Sequence, residues 1–314
     1  MSTYRTLKGY NIKSVTTDPS NTKEGQIWYN DISNKIRVNT IKPAVFASGG
    51  NLNETKQQLT GCGTQTANLA FGGEASGSTT ANSEEYNGSS WSEGNNLNTA
   101  RRLHGAAGSQ TAGLGFGGYS TNADTEEYNG TSWSEQNNMS TARYSLTGFG
   151  TQTAAVACGG HPTLANTEEY GGTSWTAGGN MNTGRRDLAG TGTLTAGLAF
   201  GGQSPTTAAT EEYDGSSWTA GGNMNNARNL LTRGGTQTAA LAMGGQSPNF
   251  SAVEEYDGSS WTTSPATMAT ARSRLGGDGT SALALVYGGE GTATTAATEE
   301  FTNLINEVTS LDVS

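Results

Sequence analysis

Metal-binding and disulfide chemistry have little to work with in this chain. Its 314 residues include two cysteines, Cys62 and Cys158, and two histidines, His104 and His161. Two cysteines give neither a metal-ligand spacing nor a disulfide framework. No Ser/His/Asp arrangement and no His/carboxylate metal constellation is visible, so no catalytic residues, metal or cofactor are expected. Charge is scarce too: 14% of residues are charged, with a net charge of -10 and no Lys/Arg cluster. That excludes the electrostatic footprint of a nucleic-acid binder. No run of about 20 apolar residues occurs, so no membrane span is expected. The stretch Met1–Tyr10 has no apolar core, which argues against Sec export. Gly-rich segments do not precede helices, so there is no phosphate loop.

Glycine is what the chain has in abundance: 46 residues, about double the usual share of roughly 7%. With 32% hydrophobic residues, this suits short strands and tight turns. The strands repeat. Tryptophans fall at Trp91, Trp133, Trp175, Trp218 and Trp261, a period in the range where one supersecondary unit is copied several times. A unit such as Tyr144–Arg185 reads as four short strands. Two flank a Thr-Gln-Thr turn, the second ending in Gly-Gly; the third is Glu-Glu-Tyr and the fourth Ser-Trp-Thr. Between the last two stand Asn87-Gly88, Asn129-Gly130, Asp214-Gly215 and Asp257-Gly258, a strong hairpin signal. Four antiparallel strands in a unit of about 43 residues predict a β-propeller blade.

Gly-Gly doublets at Gly72, Gly117, Gly159, Gly201, Gly244 and Gly288, each followed by a Glu-Glu-aromatic triplet, make six units. The sixth ends at Phe301 without a tryptophan. Its fourth strand is expected from the other end of the chain: Phe46–Lys56 aligns with Trp175–Arg185, so Phe46 takes the tryptophan position and Lys56 the arginine position. The strand near Pro43–Ser48 would then complete the last blade and close the ring, removing a bare sheet edge. Expected, therefore, is an all-β, six-bladed propeller over residues 43–314. Both cysteines stand where other copies carry small or apolar residues and are expected to be free.

The sequence Gly-Gly, then an aromatic, then Trp resembles the Kelch repeat over about Pro43 to Phe301, in a divergent form with a shorter aromatic-to-Trp spacing. A β-propeller is what that resemblance implies. The acidic doublets recur in every unit, and adjacent strand residues point to opposite faces, so they are read as structural. One Glu per unit is expected to pair with Arg101, Arg143, Arg185, Arg228 or Arg272, and the tryptophans to form inter-blade core. A hydrolase would need carboxylates converging at one unique place.

Function is expected where the copies differ. The loops Glu74–Ser83, Tyr119–Thr125, His161–Thr167, Gln203–Thr210, Gln246–Val253 and Glu290–Thr298 vary in length and content, and insertions in repeat proteins gather on one face. Tyr119, His161 and Phe250 are the candidate ligand-face residues. Residues 1–42 lie outside the repeat, with strands expected at Gln26–Asn30 and Lys35–Asn39. Gly25-Gln-Ile-Trp-Tyr-Asn30, followed by a turn and Lys35-Ile-Arg-Val38, resembles segments near the start of tailed-phage structural proteins, particularly tail-fibre and appendage proteins. That resemblance implies a non-enzymatic virion component at the particle surface. Trp28, Tyr29 and Ile36 would dock it to capsid or tail proteins, and the propeller would decorate the particle or bind a host-surface glycan or protein. The alternative is a free lectin-like or protein-binding propeller module.

Overall fold

Tight turns between short apolar runs produce an all-β chain. The computed structural model describes residues 4–7, 10–19, 25–203, 205–248, 250–303 and 305–311, among which there is no helix. The strands form eight sheets, six of them four-stranded, an arrangement consistent with a β-propeller. The chain divides into two compact units, Val45–Thr302 and a smaller one made of Met1–Ala44 with Asn303–Ser314.

The larger unit holds the six four-stranded sheets, and each is an antiparallel repeat of one plan. In the third sheet the strands are Thr147–Thr151, Ala154–Cys158, Thr167–Tyr170 and Trp175–Ala177, paired in sequence order. Its apolar second strand is almost wholly buried, as expected of a strand covered on both faces. The third and fourth strands meet through a polar hairpin in which the first residue organises the turn. Asp214 Oδ1, for instance, accepts hydrogen bonds from the amides of Ser216 and Ser217 at 2.8 Å, which hold its carboxyl down at about 2. Register then sets each tyrosine opposite its tryptophan, as in Tyr170 against Trp175 and Tyr213 against Trp218.

The sixth sheet takes its last strand from far away in sequence. Val45–Ser48 pairs with Thr298–Thr302, and Phe46 lies opposite Phe301 in the tyrosine–tryptophan register.

Core lies between neighbouring sheets. Leu114 and Phe116 of the second sheet pack with Ala155, Tyr170 and Trp175 of the third; Phe149 and Val156 of the third pack with Ala199, Tyr213 and Trp218 of the fourth. Each tryptophan of the repeat is thus inter-sheet core, 5–7% exposed. Both cysteines are free and buried; burial pushes the Cys158 thiol up to about 12.

Gly-Gly ends the second strand for a steric reason. Gly201 and Gly202 have φ of 65° and 111°, where side chains are strained, and a Cβ on Gly201 would lie 2.7 Å from the Arg228 carbonyl oxygen. The Gly202 amide donates to that same oxygen at 2.9 Å.

The smaller unit is a five-stranded sheet ordered Tyr4–Leu7, Tyr10–Val15, Ile27–Asn30, Lys35–Lys42, Ile305–Leu311. The expected hairpin is present as its third and fourth strands. Two strands precede it, Tyr10–Val15 pairing parallel with Ile27–Asn30. Ile305–Leu311 pairs antiparallel with Lys35–Lys42 along its length. No local pattern announces a partner more than 260 positions away, so a single hairpin was all that periodicity offered.

Candidate functional site

Most charged groups in the repeat are consumed by the framework. The first glutamate of each acidic doublet pairs with a buried cation: Lys56–Glu84 at 2.8 Å, Arg143–Glu168 at 3.3 Å, Arg185–Glu211 at 2.9 Å, Arg228–Glu254 at 2.7 Å and Arg272–Glu299 at 2.7 Å, with Arg101–Glu126 completing the set. Burial holds the Arg143, Arg185, Arg228 and Arg272 guanidinium groups below their ordinary range. Each carboxylate also accepts a backbone amide from the segment before its cation, as Asn182 N–H to Glu211 Oε2 at 2.7 Å.

The second glutamate faces the other way, as strand alternation requires. It accepts the tyrosine hydroxyl of the next sheet: Tyr128 to Glu85, Tyr170 to Glu127 at 2.9 Å, Tyr256 to Glu212 at 2.6 Å and Tyr86 to Glu300 at 2.6 Å. Glutamine in the Thr-Gln-Thr turn adds a link between sheets that local spacing does not announce. Gln152 donates to the carbonyls of Gly113 and Tyr128 in the preceding sheet, and Gln65, Gln110 and Gln237 do the same in theirs.

Side chains that differ from copy to copy gather two residues beyond each framework cation. Gln58, Leu103, Ser145, Asp187, Leu230 and Arg274 occupy equivalent positions, all with φ between 53° and 57°. Their backbones form a cycle of hydrogen bonds of 2.7–3.0 Å. Leu103 N–H donates to Gln58 C=O, Ser145 to Leu103, Asp187 to Ser145, Leu230 to Asp187, Arg274 to Leu230 and Gln58 to Arg274. Around this inner set stand Gln57, Arg102, Tyr144, Arg186, Asn229 and Ser273. Each is backbone-bonded to the residue after the Gly-Gly doublet: Glu74, Tyr119, His161, Gln203, Gln246 and Glu290 respectively. One backbone plan therefore presents eighteen side chains of mixed chemistry. The inner set lines a cavity of about 440 Å³ together with Tyr144, Arg186, Asn229, Gln203 and Gln246 of the outer ones. Below it a narrower space of about 80 Å³ is lined by Leu59, His104 and Arg233.

On one arc of this mouth the aromatic groups stack. Tyr144 and His161 lie nearly parallel, with centroids 4.5 Å apart at 16°. Tyr119 meets Tyr144 edge-on at 5.4 Å, and Arg102 sits 4.2 Å over the Tyr119 ring. Arg186 Nη1 lies 2.9 Å from His161 Nδ1 and its Nε 3.5 Å from Asp187 Oδ2. Burial raises the Asp187 carboxyl above its ordinary value, against the opposing hydrogen bond from Ser145 and the charges of Arg186, Arg274 and His161. Arg102 pairs with Glu74 and Arg274 with Glu290. Ser145 bonds Asp187 directly and His161 faces Arg186, so these residues lack the nucleophile–imidazole–carboxylate order of a hydrolytic triad. Planar hydrogen-bonding groups beside a flat ring surface are equipped to hold a polar ligand.

Of the candidate ligand-face residues, Tyr119 and His161 are thus brought together, through Tyr144, and Tyr119 is 48% exposed. Phe250 stands apart, half-buried with its ring 5.4 Å from the Arg228 guanidinium. Tyr144, Arg186, Asp187 and Arg274 were missed. They stand one or two residues after a framework arginine, where the copies disagree, in a stretch that reads as linker. His104, the other histidine, is buried against Phe71, and burial holds it well below its ordinary value.

The three candidate docking residues lie on both faces of their hairpin. Trp28 and Ile36 are buried, the Trp28 indole donating to Asp18 Oδ1 at 2.8 Å. Tyr29 is half-buried and its hydroxyl donates to Asn34 Oδ1 at 3.0 Å. Ile27 at 42% and Ile32 at 75% exposure are the accessible apolar groups nearby. Among the described residues no helix is long and apolar enough to cross a membrane, and no three His, Cys, Asp or Glu side chains converge as metal ligands. No protein-family model and no curated protein matches the chain.

Proposed function

We propose that the chain is a non-enzymatic recognition module: a six-bladed, Kelch-like β-propeller displayed on a tailed-phage particle, with its axial mouth turned to the host surface. The observation that carries this reading is the mouth itself, where an unvarying backbone presents combinations of side chains that no two copies share. Repeated carboxylates, arginines and tryptophans are spent on the framework, which leaves the unequal positions for recognition.

Ring closure by Val45–Ser48 is supported by paired losses. The indole N–H of Trp91, Trp175, Trp218 and Trp261 donates to a threonine hydroxyl of the preceding sheet, at Thr298, Thr125, Thr167 and Thr210. At the corresponding positions for the last sheet stand Phe46 and Val253, so donor and acceptor disappear together. The cycle of backbone hydrogen bonds through Gln58 and Arg274 supports closure in the same way.

Attachment rests on the segment Gly25–Val38 and its likeness to the openings of phage appendage proteins. On this hairpin Ile27, Tyr29 and Ile32, rather than Trp28 or Ile36, are the groups a capsid or tail protein would meet. Mass spectrometry and cryo-EM of purified particles from the source of the sequence test the assignment: the chain is expected in mature virions at a regular surface position, and its absence overturns the reading. The second reading, a free lectin-like or protein-binding propeller, is favoured by the same mouth and needs no particle.

A further inference from the structure

Charge at the mouth cancels in pairs. Arg102 is matched by Glu74, Arg186 by Asp187 and Arg274 by Glu290, so there is no surplus charge to draw in an anion or a basic peptide. Aliphatic surface is sparse: among the residues lining the 440 Å³ cavity it is confined to Leu103 and Leu230. Backbone donors and acceptors that an extended peptide could pair with are already used, since the bridges of Arg186 with Gln203 and Asn229 with Gln246 close on themselves. What remains is planar and multivalent: Gln58, Gln203, Gln246 and the Asp187 carboxylate, beside the flat Tyr144–His161 stack.

From this set we infer that the mouth binds an uncharged pyranose, presented as the terminal or branch sugar of a glycan. Such a sugar has an apolar C–H face that lies on an aromatic ring. Its adjacent hydroxyls each donate and accept, which matches a carboxylate or amide able to do two things at once. The cavity volume falls in the range of about 300–1,000 Å³ usual for small-molecule sites. Asp187 is the strongest single recognition group, a largely buried carboxylate with its hydrogen-bonding neighbours in place. The inference rests on the proposed recognition role of the mouth and names its ligand class.

The test uses the full-length protein on an array of neutral and acidic glycans, followed by saturation-transfer NMR with the methyl pyranosides of glucose, galactose, mannose and N-acetylglucosamine. Binding to a neutral glycan, competed by the free methyl pyranoside and unchanged by added salt, is expected. Asp187→Asn should weaken it about tenfold or more, as loss of a hydrogen bond to a charged group does. Tyr144→Leu should weaken it as well, and Gln246→Ala supplies a further probe should Tyr144→Leu unfold. Thr219→Ala, on an exposed outer strand, should leave binding unchanged. No binding, binding confined to acidic glycans, or capture of peptides instead of sugars overturns the inference. The chain found on particles without sugar binding sinks this inference alone; sugar binding by a chain absent from particles sinks the virion reading alone.

Discussion

Asp187 is held where its charge is costly. Because burial raises its carboxyl in the folded chain, its favourable contribution is fully present below the unfolded value of about 3.9 and is lost as pH rises through the raised folded value. Asp187→Asn removes that loss. Denaturant unfolding across the acid-to-neutral range should therefore show the variant gaining on the wild type as pH rises, with the two closest at the acid end; a gap that widens towards acid would contradict the assignment. A carboxylate kept at the expense of stability fits a residue retained for binding. A second residue-level consequence concerns Trp133, whose indole N–H has no partner. The threonine of four other copies is replaced there by Ser83, whose hydroxyl turns to the Asn95 carbonyl at 2.5 Å. Where the threonine is present its methyl occupies that spot, as Thr167 Cγ2 does near Gly178 and Thr210 Cγ2 near Gly221. Ser83→Thr should free a hydroxyl for Trp133 and stabilise the protein by about 1 kcal/mol, read as a higher denaturation midpoint. The tyrosine and histidine of the candidate site were legible because they start unequal loops. Tyr144 and Asp187 were not, because they sit inside a stretch that reads as linker.

At the level of the strand and its connection, the Arg–Glu pairs bind each linker to the sheet that follows. Both partners are nearly inaccessible to solvent; the side chains of Arg185 and Glu211 are 2% and 5% exposed. Arg185→Ala leaves Glu211 buried without its cation and should cost about 3–5 kcal/mol in chemical unfolding, while ligand binding by the remaining folded protein persists. Such pairing was legible from recurrence alone: a carboxylate and a cation 25–28 residues apart in every copy have one economical explanation. The glutamine links were not, because a Thr-Gln-Thr turn reads as an exposed loop tip until the neighbouring sheet brings two carbonyls within reach of its amide.

For the whole molecule, the first strand of the larger unit completes its last sheet. Removing residues 1–50 strips Val45–Ser48 from Thr298–Thr302 and exposes a sheet edge. Removing residues 1–44 together with 303–314 leaves all six four-stranded sheets whole. The longer N-terminal truncation should lower the unfolding midpoint sharply and promote aggregation, whereas the double truncation should unfold cooperatively near the full-length midpoint; like behaviour of the two would refute closure by this strand.

Recurrence in the chain by itself determined the four-strand unit, its hairpins, its paired charges and the displaced strand at Phe46, since each follows from local spacing repeated six times. Tertiary structure decided what spacing cannot encode. It set Ile305–Leu311 against Lys35–Lys42, buried Trp28 and Ile36, and gathered Tyr144, Arg186 and Asp187 with Gln203, Gln246 and Arg274 of other copies around one cavity, His161 stacking on Tyr144 beside it. Repetition specifies a unit through short-range turns and alternation, but which unequal side chains meet depends on distances across sheets.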